Sequence, residues 1–144
     1  MLAACGGGGG SRLSADTYRT RITQINQEAA TAQSHVAQGL NAQTLALLRQ
    51  RLDTFSADTK RIGDEAAALN PPQNAEAANT ELAAGLHETA RATAALSKAV
   101  AGLHTAREAI VYIESRPNNA KGAREVNDAF AKLRKLGYLS NTVP

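Results

Sequence analysis

Apolar side chains recur along this chain at alternating steps of three and four residues, the spacing that lines one face of a helix. The first stripe reads Tyr18, Ile22, Ile25, Ala29, Ala32 and Val36 and predicts a helix over 14–38. Ser14 is a good N-cap, Asp16 suits the first turn, Leu13 can staple onto Tyr18, and Gly39 is placed to end the helix. A second stripe, Leu45, Leu48, Leu52, Phe55, Thr59, Ile62, Ala66 and Leu69, predicts a helix over 42–69. Asn41 is its expected cap, and Leu40 can reach Leu45. Asn70-Pro71-Pro72 stops it, because proline cannot donate and disfavours helix in the residue before it.

The third stripe is the longest. Leu82, Leu86, Thr89, Thr93, Leu96, Val100, Leu103, Arg107, Ile110 and then Ile113 predict one helix over 74–115, roughly 63 Å at 1.5 Å per residue. Gly85 and Gly102 are the places where it can bend, and Pro117 ends it. The fourth helix is expected over 119–136 with Val126, Phe130, Leu133 and Leu136 inward. Gly137 suits the left-handed position after it, and Tyr138 can then touch Leu133.

Short links between helices imply antiparallel neighbours. The predicted fold is therefore all-α: an antiparallel up-down-up-down bundle of four helices, with residues 14–144 as one domain. A strict 3.5-residue period adds left-handed packing at a crossing angle near +20°. The third helix should overshoot the first two, and the fourth should fold back along its distal half.

Composition supports helices and thins the core. Ala supplies 30 of the 144 residues, against 15 Leu, 5 Ile, 5 Val, 2 Phe, 3 Tyr and no Trp. Alanine buries little, whereas a fully buried leucine contributes about 1.5–3 kcal/mol, so the helices should approach closely over small residues. The formal net charge of +3 is too small to imply nucleic acid. No apolar run reaches the ~20 residues needed to span a bilayer.

The first residues read Met1-Leu2-Ala3-Ala4-Cys5, followed by Gly6 to Gly10, Ser11 and Arg12. Leu2-Ala3-Ala4-Cys5 resembles a bacterial lipobox: an aliphatic residue, two small residues, then the only cysteine in the chain. The resemblance implies a small helical lipoprotein of the bacterial envelope. It makes Leu2, Ala3 and Ala4 the recognition segment and Cys5 the acylated, palmitate-type N-terminus left after peptidase cleavage. Two or three acyl chains at ~0.8 kcal/mol per buried CH₂ make such an anchor stable. The glycine run then serves as a flexible tether, about seven residues reaching roughly 15 Å, so that residues 1–13 are lipobox and tether. Four residues before Cys5 are fewer than the basic and apolar regions of an export signal, so either those regions lie upstream of Met1 or the match is chance and Cys5 is a free cytosolic thiol. Gly6 in place of Asp after the cysteine removes one inner-membrane retention signal and leaves outer-membrane sorting open.

The remaining chemistry is sparse. The three histidines are His35, His87 and His104. His104 and Glu108, four apart, share a helix face and form the one local pair for a metal or haem, with His87 as a third candidate. No HExxH motif, nucleophile elbow or phosphate loop occurs, and Cys5 has no neighbouring base, so no catalytic activity and no cofactor are expected. Thr89, Thr93 and Arg107 on the third stripe either line a small-ligand site or rotate to the edge as Ala90, Ala92, Ala99 and Ala106 turn inward. The C-terminal segment is basic: Arg116, Lys121, Arg124, Lys132, Arg134 and Lys135 against Glu125 and Asp128. An anionic membrane surface is a fitting partner for it, and the last three cations also complement the helix dipole.

The resulting expectation is a non-catalytic binding or structural module, tethered to a bilayer through acylated Cys5 and docking an unidentified envelope protein or small ligand, without nucleic acid. The alternatives are a metal- or haem-binding bundle and a cytosolic, non-lipidated helical interaction protein.

Overall fold

A computed structural model describes residues 11–39, 41, 44–115 and 121–140. The described residues are all-helical, with no strand among them. The helices are α1 (Ala15–Gly39), α2 (Leu45–Ala68), α3 (Glu76–Val100), α4 (Ala106–Ser115) and α5 (Lys121–Lys135), with one 3₁₀ turn at Gln73–Ala75.

Local chemistry accounts for most boundaries. Ser14 caps α1: its Oγ accepts from Thr17 N at 3.2 Å. α2 starts three residues later than expected. Its cap is Thr44 rather than Asn41, with the Thr44 hydroxyl accepting from Leu47 N at 3.2 Å. α5 ends in a Schellman turn. Gly137 takes φ +79°, Tyr138 N donates to Leu133 O and Gly137 N to Arg134 O, each at 2.9 Å.

The predicted third helix is two helices. The chain leaves helical geometry after Val100 and re-enters at Ala106. The break is built by a reciprocal capping box. Thr105 Oγ1 accepts from Glu108 N at 3.2 Å, while Glu108 Oε2 accepts from Thr105 N at 3.2 Å and His104 N at 2.9 Å. Those bonds satisfy amides that a new helix start would otherwise leave orphaned. The described chain thus has five helices where four were expected, and the continuous 63 Å rod does not exist.

The contacts pair the helices in opposite chain directions. Leu13 N donates to Asn70 O at 2.8 Å, joining the start of α1 to the end of α2. Ser56 Oγ donates to Ala90 O at 2.8 Å, and His87 meets Asp64, so α2 and α3 run against each other. Lys132 on α5 pairs with Glu81 on α3, while Gly122 abuts Gly85 and Thr89. α5 therefore lies on the N-terminal half of α3, not on the distal half of a long helix. The reason is the break: helical geometry ends at Val100, so no long third helix continues for α5 to lie along.

The core has two parts. The larger gathers Tyr18, Ile22, Ile25, Ile62, Leu82, Leu86, Phe130, Leu133, Tyr138 and Leu139 with several alanines. The smaller, at the other end, joins Leu48, Leu52, Val100 and Ala109, flanked by half-buried Leu96, Leu103, Ile110 and Ile113. Leu136, expected inward, is 40% exposed. The Schellman turn reverses the chain after it and delivers Tyr138 and Leu139 to the core instead.

Close approach of α3 and α5 depends on two glycines. A Cβ at Gly122 would lie 2.6 Å from Thr89 Oγ1, 2.7 Å from Thr89 N and 2.8 Å from Gly85 O. A Cβ at Gly85 would lie 2.9 Å from Val126 N and 3.0 Å from Gly122 O. Gly85 thus marks a helix crossing.

Candidate functional site

Leu2, Ala3, Ala4 and Cys5 lie outside the described residues, as does Arg116. The structure does describe where the chain joins the folded body. Arg12 Nη1 donates to Pro71 O at 2.9 Å, and Arg12 Nη2 pairs with Glu76 at 2.8 Å. Leu13 packs against the larger core. The N-terminal segment therefore enters at the pole that carries the α2–α3 turn.

The C-terminal end of α5 shares that pole. Arg19 Nε donates to Gly137 O at 3.2 Å. Tyr18 and Tyr138 meet edge to face with centroids 5.0 Å apart, and Tyr138 OH donates to Asn74 Oδ1 at 2.9 Å. Beneath them, Tyr18 OH donates to Asn79 Oδ1 at 3.0 Å, and Asn79 Nδ2 donates to Ala66 O at 2.9 Å. Burial, followed by the proximity of Tyr138, holds the Tyr18 phenol well above the ordinary tyrosine range. This network ties four segments together at one end of the molecule. The sequence reading passed over Asn79, whose only signal was an amide next to Ala78 on an otherwise alanine-rich turn.

On α5 the predicted basic residues share the solvent side. Gly122, Ala129, Phe130 and Leu133 are buried, while Lys121, Arg124, Lys132 and Lys135 are exposed and Arg134 is half-buried. They do not form one uninterrupted patch. Lys121 lies 3.9 Å from Glu125, and Lys132 is bound to Glu81. Arg134 and Lys135 occupy the last turn, beside the pole where Arg12 enters.

The histidines are not brought together. His87 Nε2 is 2.9 Å from Asp64 Oδ1, and the Asp64 carboxylate also takes Lys60 at 2.7 Å. Lys60 first and His87 second lower the Asp64 pKa. His104 stands at the α3–α4 break, about 20 Å further along the α3 axis at 1.5 Å per residue. Its predicted partner Glu108 is engaged by the backbone amides of the capping box, which assigns that carboxylate a structural task. Among the described residues no group of three or more His, Cys, Asp or Glu side chains converges to hold a metal ion.

Thr89 and Thr93 turn their hydroxyls onto their own helix, donating to Gly85 O at 2.8 Å and Thr89 O at 2.9 Å. Arg107 is exposed. Ala90 is buried and Ala92 and Ala106 are half-buried, but Ala99 faces solvent. The edge reading holds only in part: Arg107 and Ala99 face solvent, Thr93 is buried, and the hydroxyls of Thr89 and Thr93 are occupied by their own helix.

A groove that the sequence reading missed runs between α1 and α2. Its larger part, about 440 Å³, is walled by Gln24, Glu28, His35, Asp58, Arg61 and Ile62, among others. A smaller continuation of about 220 Å³ reaches Gln38 and Leu47. Arg61 Nη1 lies 2.9 Å from Glu28 Oε2 and also pairs with Glu65. The Arg61 guanidinium, then the Gln24 amide, holds the Glu28 carboxyl below its usual range. The same two carboxylates raise Arg61. The groove thus offers a paired ion cluster and amide groups beside apolar Ala32 and Ile62, a mixed surface.

Among the described residues, no helix is long and apolar enough to cross a membrane. Compared with known proteins, the chain matches no protein-family model, no curated protein sequence and no solved structure. The fold class stands on the helices alone, and the particular function must be argued from the chain's own residues.

Proposed function

We propose that this chain is a lipid-anchored, non-catalytic helical module of the bacterial cell envelope, an antiparallel bundle with left-handed packing that docks an envelope protein or a small ligand. The observation that carries the reading is the string Leu2-Ala3-Ala4-Cys5 followed at once by Gly6 to Gly10. An aliphatic residue and two small residues before a lone cysteine are what an acylating and cleaving machinery needs. A glycine run after it separates a folded body from a bilayer. The pinning of Arg12 and Leu13 against the Asn70–Glu76 turn is consistent with a body that begins directly after such a tether.

The test is fractionation and labelling of the full-length native protein in its own cell with a fatty-acid probe. The reading expects label in the membrane fraction, lost on Cys5→Ser together with salt-resistant membrane association. Unlabelled protein in the soluble fraction favours the cytosolic, non-lipidated reading instead.

A further inference from the structure

We propose that the pole formed by Arg12, Arg19, Arg134 and Lys135 is an interaction surface for anionic phospholipid headgroups, which sets the folded body upright on the leaflet that holds its tether. The inference rests on the lipid-anchor reading for its biological setting, but its physical basis is separate. Three observations place these cations together. Arg12 is fixed to Pro71 and Glu76. Arg19 reaches Gly137 O at the end of α5. Arg134 and Lys135 occupy the last turn of α5, next to Gly137.

Asp16, Glu65, Glu76 and Glu81 at this end are each already in an ion pair, with Arg19, Arg61, Arg12 and Lys132 respectively. Six cations against these four acids leave a positive excess at the pole. Exposed Leu136 lies among them, 40% accessible, an apolar side chain beside cations that suits the boundary between headgroups and acyl chains. Seven residue steps separate Cys5 from Arg12, so no more than about 25 Å of chain lies between an anchored sulfur and the pole. That short leash holds the pole within reach of the surface, and a Debye length of about 8 Å sets the range over which its charge acts. The opposite pole, with Lys98, Arg107 and the α3–α4 break, has no such proximity.

The partner is thus an anionic bilayer rather than a protein, and a vesicle assay decides between them. The full chain carrying Cys5→Ser is incubated with phosphatidylcholine vesicles, with and without 40 mol% phosphatidylglycerol, and the bound fraction is measured. The expected result is partitioning onto the anionic vesicles only, weakening steeply between low and physiological salt. At about five-fold per cation near a charged surface, Arg134→Gln with Lys135→Gln lowers it roughly 25-fold. Lys98→Gln with Arg107→Gln leaves it unchanged. Circular dichroism establishes that both variants are helical, and the salt dependence of the unaltered chain stands if the first is not. Equal binding to neutral vesicles, no binding to either, or an equal loss from the Lys98/Arg107 pair overturns the proposal. A cellular protein without acyl chains on Cys5 would remove the anchor reading while leaving this vesicle result intact.

Discussion

Gly122→Ala is a one-carbon change, and the geometry of the α3–α5 crossing gives it a definite sign. In an isolated helix the substitution is favourable by about 1 kcal/mol. Here the added Cβ would sit 2.6–2.8 Å from Thr89 Oγ1, Thr89 N and Gly85 O. Two of those atoms are backbone and cannot rotate aside. α5 must retreat by roughly 0.7 Å to restore ordinary contact, and a gap of that size forfeits a quarter to a half of each dispersion contact it opens. Ala129, Phe130 and Leu133, all buried on α5, lose contact together. Overpacking of this kind costs about 1–3 kcal/mol. After the propensity gain, the net destabilisation is about 0–2 kcal/mol, which lowers Tm by up to about 5 °C in a domain of this size. The assay is urea unfolding followed by circular dichroism, with Gly102→Ala as the internal comparison. A Cβ at Gly102 meets only Ala99 O at 4.0 Å, so that variant should be unchanged or up to about 1 kcal/mol more stable. A Gly122→Ala protein more stable than the parent by the full ~1 kcal/mol of helix propensity would refute close packing of α3 on α5.

Three further outcomes follow from the same geometry. Asn79→Leu removes the acceptor of Tyr18 OH and the donor to Ala66 O in the buried network; it should cost about 2–4 kcal/mol, and a midpoint within 0.5 kcal/mol of the parent would contradict that role. Glu108→Ala should cost about 1 kcal/mol by opening the α3–α4 capping box, with amide exchange accelerating at Thr105 and His104, whereas His104→Ala leaves stability unchanged and added Zn²⁺ shifts neither. Glu28 and Asp64 have pKa values depressed by Arg61 and by Lys60 with His87. Their stabilisation is therefore complete above the ordinary carboxylate range and is lost as pH falls through the folded values, below about pH 4.5; because both sites are partly exposed the effect is small, and Arg61→Gln should flatten the acid limb of a stability-versus-pH curve rather than its neutral plateau.

Much of the helical frame was legible because each stripe is local. Tyr18, Ile22, Ile25 and Ala32 on α1, and Leu48, Leu52, Ile62 and Ala66 on α2, are buried as their spacing predicts. The long third helix failed for an instructive reason. Val100, Leu103, Arg107 and Ile110 keep the 3-4 step across the break, so periodicity alone reads straight through it. The contrary signal was Thr105-Ala106-Arg107-Glu108, a capping-box pattern in the middle of a stripe, immediately after Gly102. His104 and Glu108 were legible as a pair on one face, but only the fold reveals that Glu108 faces backbone amides. The Gly85–Gly122 contact and the α1–α2 groove join residues far apart in the chain, which no local pattern encodes. Leu136 was misassigned because a helical wheel does not anticipate the chain reversal at Gly137.

The anchor itself is most directly tested by the mass of the N-terminal peptide from protein isolated out of its native membranes. Cleavage before Cys5 with two or three acyl chains added to that residue is the result expected. A peptide that retains Met1 and an unmodified thiol would contradict the account, leaving the helices as they are and removing the reason to place them at a bilayer.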